Sequence, residues 1–524
     1  MYSLETKNMT KQNCKRLITL LPLVTLLLTG CPKKGNNNNG GNGEKHDERT
    51  GTVSFEVWHT NDIHGQVMEE SGHPGIGKLM TFLKEKGQNE NTLLLDQGDT
   101  WQGSIYSNYN HGNLITDVMN YVQYDARTIG NHDFDWGVQK IIDNKNRSYQ
   151  DYSTPVLAGN LYDFNFDTKV VGTTQQSDVG AKSVTYTLEN GLKVGVLGCI
   201  GADQMKDISS VFMRNYAFTN HIDFIKAEAT HLRNDEHCDV VICSIHSGQA
   251  TVLGNGLNNY VDLVLCGHTH QNETATEGNL YYSQCYSNTG SLGHVKLKYN
   301  FDTKKVTSTS VESITGYQLA SMVESVDPTI QSIMTGYNNE CSAAANTVVA
   351  SNVVTDFTKK NGFPKLMCKA IYDQAVSEGY TNLVLSYVNQ GRDDKGTGSW
   401  TYADLYDVFP FDNEVMIADI TGSELISQCD HGNYRYVNPS ANKTIQLNGT
   451  YKIAVLDFLY YHTDSESREY NYFSQTGGTS SLKLSKNYRE ILRDWLISNG
   501  YSTGKALDYS DFNTSEYASY QFSY

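Results

Sequence analysis

The stretch "TIGNHDFDWG", Thr128 to Gly137, sets an Asn, a His and two Asp between glycines, directly after a short apolar approach. Turns use Asn, Asp and Gly for their backbone geometry, so alone the stretch reads as a hydrogen-bonded loop. Four further segments share its build: "HTNDIHG" (59–65), "DQGDTWQG" (96–103), "SIHSG" (244–248) and "GHTH" (267–270). Each follows a run of four to six β-favouring residues, as in "NTLLL" and "VDLVLC", which reads as a buried strand. Helical patterns such as "GIGKLMTFLKEKG" (75–87) and "HIDFIKAEATHLRND" (221–235) lie between some of them. That alternation predicts an α/β domain with a mixed sheet. Ligands gather beyond the carboxyl ends of strands in such sheets, and every cluster occupies such a place.

The residue types point to divalent cations. Asp, His and Asn side chains that converge while leaving positions for water suit a hard or borderline metal. Asp62 and His64 alternate, as do His268 and His270, so on extended chain each pair projects to one side. Asp99 follows a strongly apolar strand and is suited to hold a carboxylate between two ions. A dinuclear site clamps an ester phosphate and lowers the pKa of a bound water.

Composition narrows the partners. The chain has 524 residues, 39% hydrophobic, with a formal net charge of -17. That length suggests two or three domains. The acidity argues against nucleic acid as partner and provides no polybasic membrane patch, while bound cations would still let an acidic protein act on anions. Lys11, Lys15 and Arg16 precede the apolar run "LITLLPLVTLLL" (17–28), which ends in "LTGC". The run is too short for a comfortable span and reads as an export signal over 1–30. The cysteine resembles the bacterial lipoprotein processing site, making Cys31 the lipidated residue and the only membrane attachment. Residues 31–51 read as a polar Gly/Asn-rich tether, giving an exported protein on the outer face of the membrane. Of the 10 cysteines, several sit in apolar runs, and few or no disulfides are expected.

The order D-x-H, G-D, G-N-H-D-x-D, H and G-H-x-H resembles the calcineurin-like metallophosphatases. With "DLYDVFPFDN" (404–413) further on, the chain resembles the 5′-nucleotidase and UDP-sugar hydrolase family. The resemblance implies a four-layer β-sandwich metallophosphatase domain flanked by helices (52–318). It further implies a connecting helix (319–347) and a smaller α/β C-terminal substrate-binding domain (348–524). It assigns Asp62, His64, Asp99 and His270 to one metal. Asp99, Asn131, His246 and His268 go to the other, with Asp99 bridging and the metals drawn from Zn, Mn, Co or Fe. His132, oriented by Asp135, would contact the phosphate as a metal-activated water attacks phosphorus in line, while Asp133 receives no role. Phe411 and Phe473 would sandwich a base, and Arg392 would hold the phosphate or ribose side.

Several positions depart from the family. The contact Asn is either Tyr387 by spacing or a displaced Asn389, the ribose Asp becomes Thr479, and Lys359 lies near a missing arginine. The implied substrate is a nucleotide or a related small phosphate ester. A nucleotide sugar, a cyclic nucleotide, a non-nucleotide phosphate ester, a thiosulfate ester and a nucleoside-capturing lipoprotein are the alternatives. Oligomeric state is not readable.

Overall fold

In the computed structural model, residues 9–10, 49–430, 434–441, 444–464 and 467–518 are described. The expected signal and tether, Cys31 included, lie outside them, apart from residues 49–51 and Met9–Thr10, which pair with Tyr186–Thr187.

The amino-terminal body runs through β1 (Thr52–Thr60), α1 (Gly75–Lys86), β2 (Thr92–Asp96), α2 (Asn113–Val122), β3 (Ala126–Thr128) and β4 (Val156–Leu157). It continues with β5 (Ser183–Thr187), β6 (Lys193–Ile200), α3 (His221–Asn234), β7 (Val240–His246) and β8 (Leu263–Leu265). β9 (Glu273–Glu277), β10 (Leu280–Gln284), β11 (Ser291–Asn300) and β12 (Lys305–Thr315) follow, and Leu161–Asn165, Val170–Gln175 and Tyr216–Phe218 form a small three-stranded sheet of their own. One sheet has the order β12-β11-β1-β2-β3-β4, and the other contains β5-β6-β7-β8-β10-β9.

Period-two alternation stacks these sheets. On β1 and β2, Phe55, Val57, Leu93 and Leu95 face Val194, Val196, Val240 and Ile242 of the other sheet in one core. The intervening Trp58 and Leu94 face α1 and α2 instead, while Leu197, Cys199, Val241 and Cys243 face α3. The strands are therefore apolar on both faces, and the layers run helix, sheet, sheet, helix. Each fully buried Leu or Val contributes about 1.5–3 kcal/mol relative to exposure. Seven described cysteines, Cys199 and Cys243 among them, are buried and free of disulfides.

The expected single connecting helix is two helices, α4 (Gly316–Met322) and α5 (Pro328–Ala345). Pro328 explains the break: it has no N–H to continue a helix yet suits a first turn. Asp327 caps that turn by accepting from the N–H groups of Thr329 (2.8 Å) and Ile330 (3.2 Å).

The carboxyl-terminal body adds β13 (Val348–Val353), α6 (Gly362–Ser377), β14 (Leu383–Val388), β15 (Gly398–Thr401), β16 (Val415–Thr421), β17 (Tyr434–Val437), β18 (Thr450–Leu456) and α7 (Tyr488–Ser498). Its main sheet has the order β16-β18-β14-β17, and Leu366, Met367 and Ile371 of α6 share a core with it. Ile105 of the first body is buried in that same core. Asn108 Nδ2 donates to the Pro410 carbonyl (2.7 Å) and Trp136 Nε1 to Asp412 Oδ2 (3.1 Å), so the two bodies meet beside the "GNHDFD" turn.

Candidate active site

The parallel strands β1, β2 and β3 of one sheet and β7 and β8 of the other end on the same side. Beyond those ends lie Asp62 and His64, Asp99, Asn131, His246, and His268 with His270. Asp62, His64 and His270 bring ligand atoms within 4.8 Å of one another, and so do Asp99, His246 and His268. His64 Nε2 lies 3.0 Å from His270 Nε2, and His270 Nε2 lies 3.4 Å from Asp62 Oδ1. Asn131 Oδ1 lies 3.1 Å from His246 Nε2 and 3.0 Å from His268 Nδ1, which joins it to the second trio. Asp99 Oδ2 stands between the groups, 3.2 Å from His246 Nε2 and 3.7 Å from His64 Nε2.

Alternation on extended chain is not what aims the paired ligands. Asp62 (φ 50°), His64 (φ 46°), Asp99 (φ 52°), His268 (φ 83°) and His270 (φ 58°) all occupy the left-handed region. Residues with a Cβ adopt it at a cost of about 1–3 kcal/mol each, and such strain collects at functional sites. Neighbouring loops hold it in place. Asp62 N–H donates to Gly98 O (2.9 Å), His64 N–H to Asp99 O (2.9 Å), and His268 N–H to Asp62 Oδ2 (2.9 Å). A Cβ on Gly130 would stand 2.2 Å from Asp99 Oδ1, so glycine there admits the carboxylate.

Backbone carbonyls orient two imidazoles. His246 Nδ1 donates to Gln97 O (2.7 Å) and His64 Nδ1 to Gln102 O (3.1 Å). A carbonyl only accepts, so the proton sits on Nδ1 and Nε2 faces the site, a common arrangement around metal-binding histidines. Burial pushes His64 and His268 down to about 4, which leaves both neutral. His246 goes the other way: burial alone would lower it, yet the carboxylates of Asp99 and Asp62 hold it up near 10.

The donors suit divalent metal. They are imidazole nitrogens and carboxylate and amide oxygens, the set that Zn, Mn, Co and Fe accept. Buried Asp99 Oδ2 and Asn131 Nδ2 have no hydrogen-bond partner among the described residues. For Asp99 Oδ2 that is the expected state of an acceptor awaiting a cation.

His132 sits on a short 3-10 turn, His132–Phe134. Its Nδ1 lies 3.0 Å from Asp135 Oδ2, and its ring stacks on Phe411 with centroids 5.2 Å apart. Burial would lower His132, but the neighbouring Asp135 and Asp99 raise it above the ordinary imidazole range. Asp133, which the motif leaves without a part, is fully buried. It accepts from the N–H groups of Gly130 (2.8 Å), Asp99 (3.2 Å) and Thr100 (3.2 Å) and lies 3.3 Å from Arg127 Nη2. It buckles two ligand loops together, a role that depends on contacts across the fold.

A cavity of about 210 Å³ opens from Asp99, Asn131, His132, His268 and His270 towards the second body. Arg392 and Phe411 line it, with the Arg392 guanidinium 4.9 Å from the Phe411 ring. Phe473 does not: it is fully buried against Tyr387 and Tyr460. The second cavity ring in that body is Phe458, at the end of β18. Asn389 also lines the cavity, whereas Tyr387 is buried, so the displaced alternative is the one that faces it. Thr479 is exposed and donates to Thr476 O (2.7 Å). Lys359 Nζ donates to the Arg392 carbonyl (3.3 Å).

Residues 55–272 match the calcineurin-like phosphoesterase family and residues 341–502 the 5′-nucleotidase C-terminal domain. An apyrase of Tabanus yao is 28% identical over 229 residues, 41% of this chain and 38% of that protein. The 5′-nucleotidase of Diplobatis ommata is 25% identical over 451 residues, 76% of this chain and 74% of its own length. In fold, a 5′-nucleotidase precursor from Thermus thermophilus superimposes with a TM-score of 0.68 at 16% identity, covering 87% of this chain and 97% of that one.

Proposed function

Because this chain belongs to the calcineurin-like phosphoesterases and joins that domain to a 5′-nucleotidase C-terminal domain, we propose that it is a dinuclear-metal hydrolase of nucleotide phosphate esters. One observation carries the reading: Asp99 Oδ2 lies within reach of both ligand groups on the floor of a cavity that ends in phenyl rings. In the proposal Asp62, His64, Asp99 and His270 hold one cation, and Asp99, Asn131, His246 and His268 hold the other. Bound there, the cations supply Lewis acidity to the phosphoryl group and lower the pKa of water at the site. His132, its Nδ1 held by Asp135, presents Nε2 to a phosphoryl oxygen and opposes charge developing there. Arg392 binds the phosphate or ribose side, and Phe411 with Phe458 holds the base. Positioning and electrostatics account for the catalysis.

The test is a panel of AMP, GMP, UDP-glucose, cyclic AMP, a thiosulfate ester and p-nitrophenyl phosphate on chelator-stripped protein reloaded with Mn, Co or Zn. Metal-dependent release of phosphate from 5′-mononucleotides is expected. Stacking is worth about 1–3 kcal/mol per base. Phe411→Ala should therefore lower kcat/KM for nucleotides relative to p-nitrophenyl phosphate by about 5- to 150-fold. Adenosine binding without turnover under any metal would replace this reading with nucleoside capture.

The proposal includes export and anchoring through Cys31, supported by the basic start, apolar run and "LTGC" of the sequence. Cys31→Ser is expected to move the protein from the membrane fraction to the soluble one. Unchanged partitioning on fractionation would refute the anchor.

A further inference from the structure

The cavity contains a carboxyl group for which phosphate chemistry has no use. Asp457 follows β18 directly and lines the same cavity as Phe411, Phe458, Asn389 and Asn413. Its Oδ1 accepts from the Phe458 N–H (2.7 Å), and its own N–H donates to Glu414 O (2.9 Å), which ties the carboxyl to the ring next to it. The other charged groups at this end are disposed elsewhere. Asp412 is paired with Arg489 and accepts from Trp136, Glu414 is paired with Lys483, and Asp135 is held by His132. Arg392 lies over Phe411, and no cation pairs with Asp457 or Asp207 among the described residues.

Phenyl rings hold any base by its face and discriminate little. Choice among bases then falls to the polar groups that meet the base edge. A carboxylate only accepts hydrogen bonds, through two oxygens set as a fork. Guanine matches that fork with N1–H and the exocyclic amino group, and hypoxanthine and uracil each offer one ring N–H. Adenine and cytosine put a bare ring nitrogen at that position, lone pair against lone pair. The Asn389 and Asn413 amides can donate to the oxo group that accompanies a ring N–H.

We propose that Asp457 makes the site selective for nucleotides whose base carries a ring N–H on its pairing edge, guanine above all, over adenine and cytosine nucleotides. This rests on the nucleotide reading above. Protonation converts the fork to a donor and removes the preference. Burial, with the charges of Glu414 and Asp135 adding to it, pushes Asp457 up to about 7. The preference should therefore be full above neutral pH and fade below it.

The experiment compares kcat/KM for GMP, IMP and AMP on the full-length, metal-loaded protein, as wild type and as Asp457→Asn. A bidentate pair supports a GMP-to-AMP ratio of about 10- to 100-fold, and Asp457→Asn should bring it down at least tenfold. The amide still accepts from the Phe458 N–H, and a ratio taken on one preparation cancels partial misfolding. Wild type alone supplies a second measure: the ratio should climb between pH 6 and pH 8.5. Titration of His132, Asp135, Asp207 or the substrate phosphate affects both nucleotides and drops out. A ratio near one, or one indifferent to Asp457→Asn and to pH while nucleotides are hydrolysed, overturns this inference alone. Turnover of p-nitrophenyl phosphate with every nucleotide left intact overturns the nucleotide reading as well.

Discussion

Asp99→Asn should reduce metal-dependent hydrolysis on the order of a thousandfold or more, with the fold intact. The two carboxylate oxygens have separate duties. Oδ1 accepts from the His132 N–H (2.8 Å), a bond that an asparagine oxygen keeps. Oδ2 faces His246 and His64, where an amide nitrogen would present hydrogens to the region in which the two ligand groups meet. The variant therefore loses the shared negative charge while its loop keeps its anchor. Metal analysis should find fewer than two ions per chain, and thermal unfolding of the apo protein should stay close to wild type. Two retained ions with an unchanged rate would remove Asp99 from the mechanism.

The same residue shows why much of this site is legible in sequence. Each candidate ligand lies within a few positions of a strand end, and strands buried on both faces are conspicuous as apolar runs. Local sequence thus supplies both the residue and its place. Backbone detail is less accessible: left-handed Asp and His residues carry no composition signal, and alternation by itself suffices to predict a shared aim for Asp62 and His64. The C-terminal wall is less legible still. Counting back from the Gly477-Gly478 pair picks out Phe473, but that ring is buried against Tyr387 and Tyr460, while Phe458, next to the end of β18, lines the cavity. The paired glycines are thus uncoupled from the ring. The break between α4 and α5, absent from the single connecting helix expected over 319–347, does have a local signal in Asp327-Pro328, a capping pair lying inside an otherwise helical pattern. Asp133 and Asp457 depend on partners that approach only in three dimensions, and no spacing rule identifies them.

Asp133→Ala is the sharper probe of how the loops are held, because its effect divides into two separable parts. The first is stability. Arg127 is buried with its guanidinium carbon 3.6 Å from the Trp101 ring centre, and removing Asp133 takes away its ion-pair partner and leaves the buried carboxyl of Asp96 to face the charge. That costs up to about 3–5 kcal/mol, or a fall in Tm of up to the order of 10 °C for a body this size. The second part is geometry. The N–H groups of Gly130, Asp99 and Thr100 lose their shared acceptor, and a drift of about 1 Å in the Asp99 loop is enough to lower turnover about 100-fold. Replacing both partners, Arg127→Met with Asp133→Ala, separates the two. A buried ion pair exchanged for apolar side chains is often close to neutral in stability, so Tm should largely return. Turnover should not, since methionine supplies no acceptor for three amides. Recovery of kcat together with Tm would make Asp133 a purely structural residue, while recovery of Tm alone would identify it as the residue that positions Asp99 against Asn131.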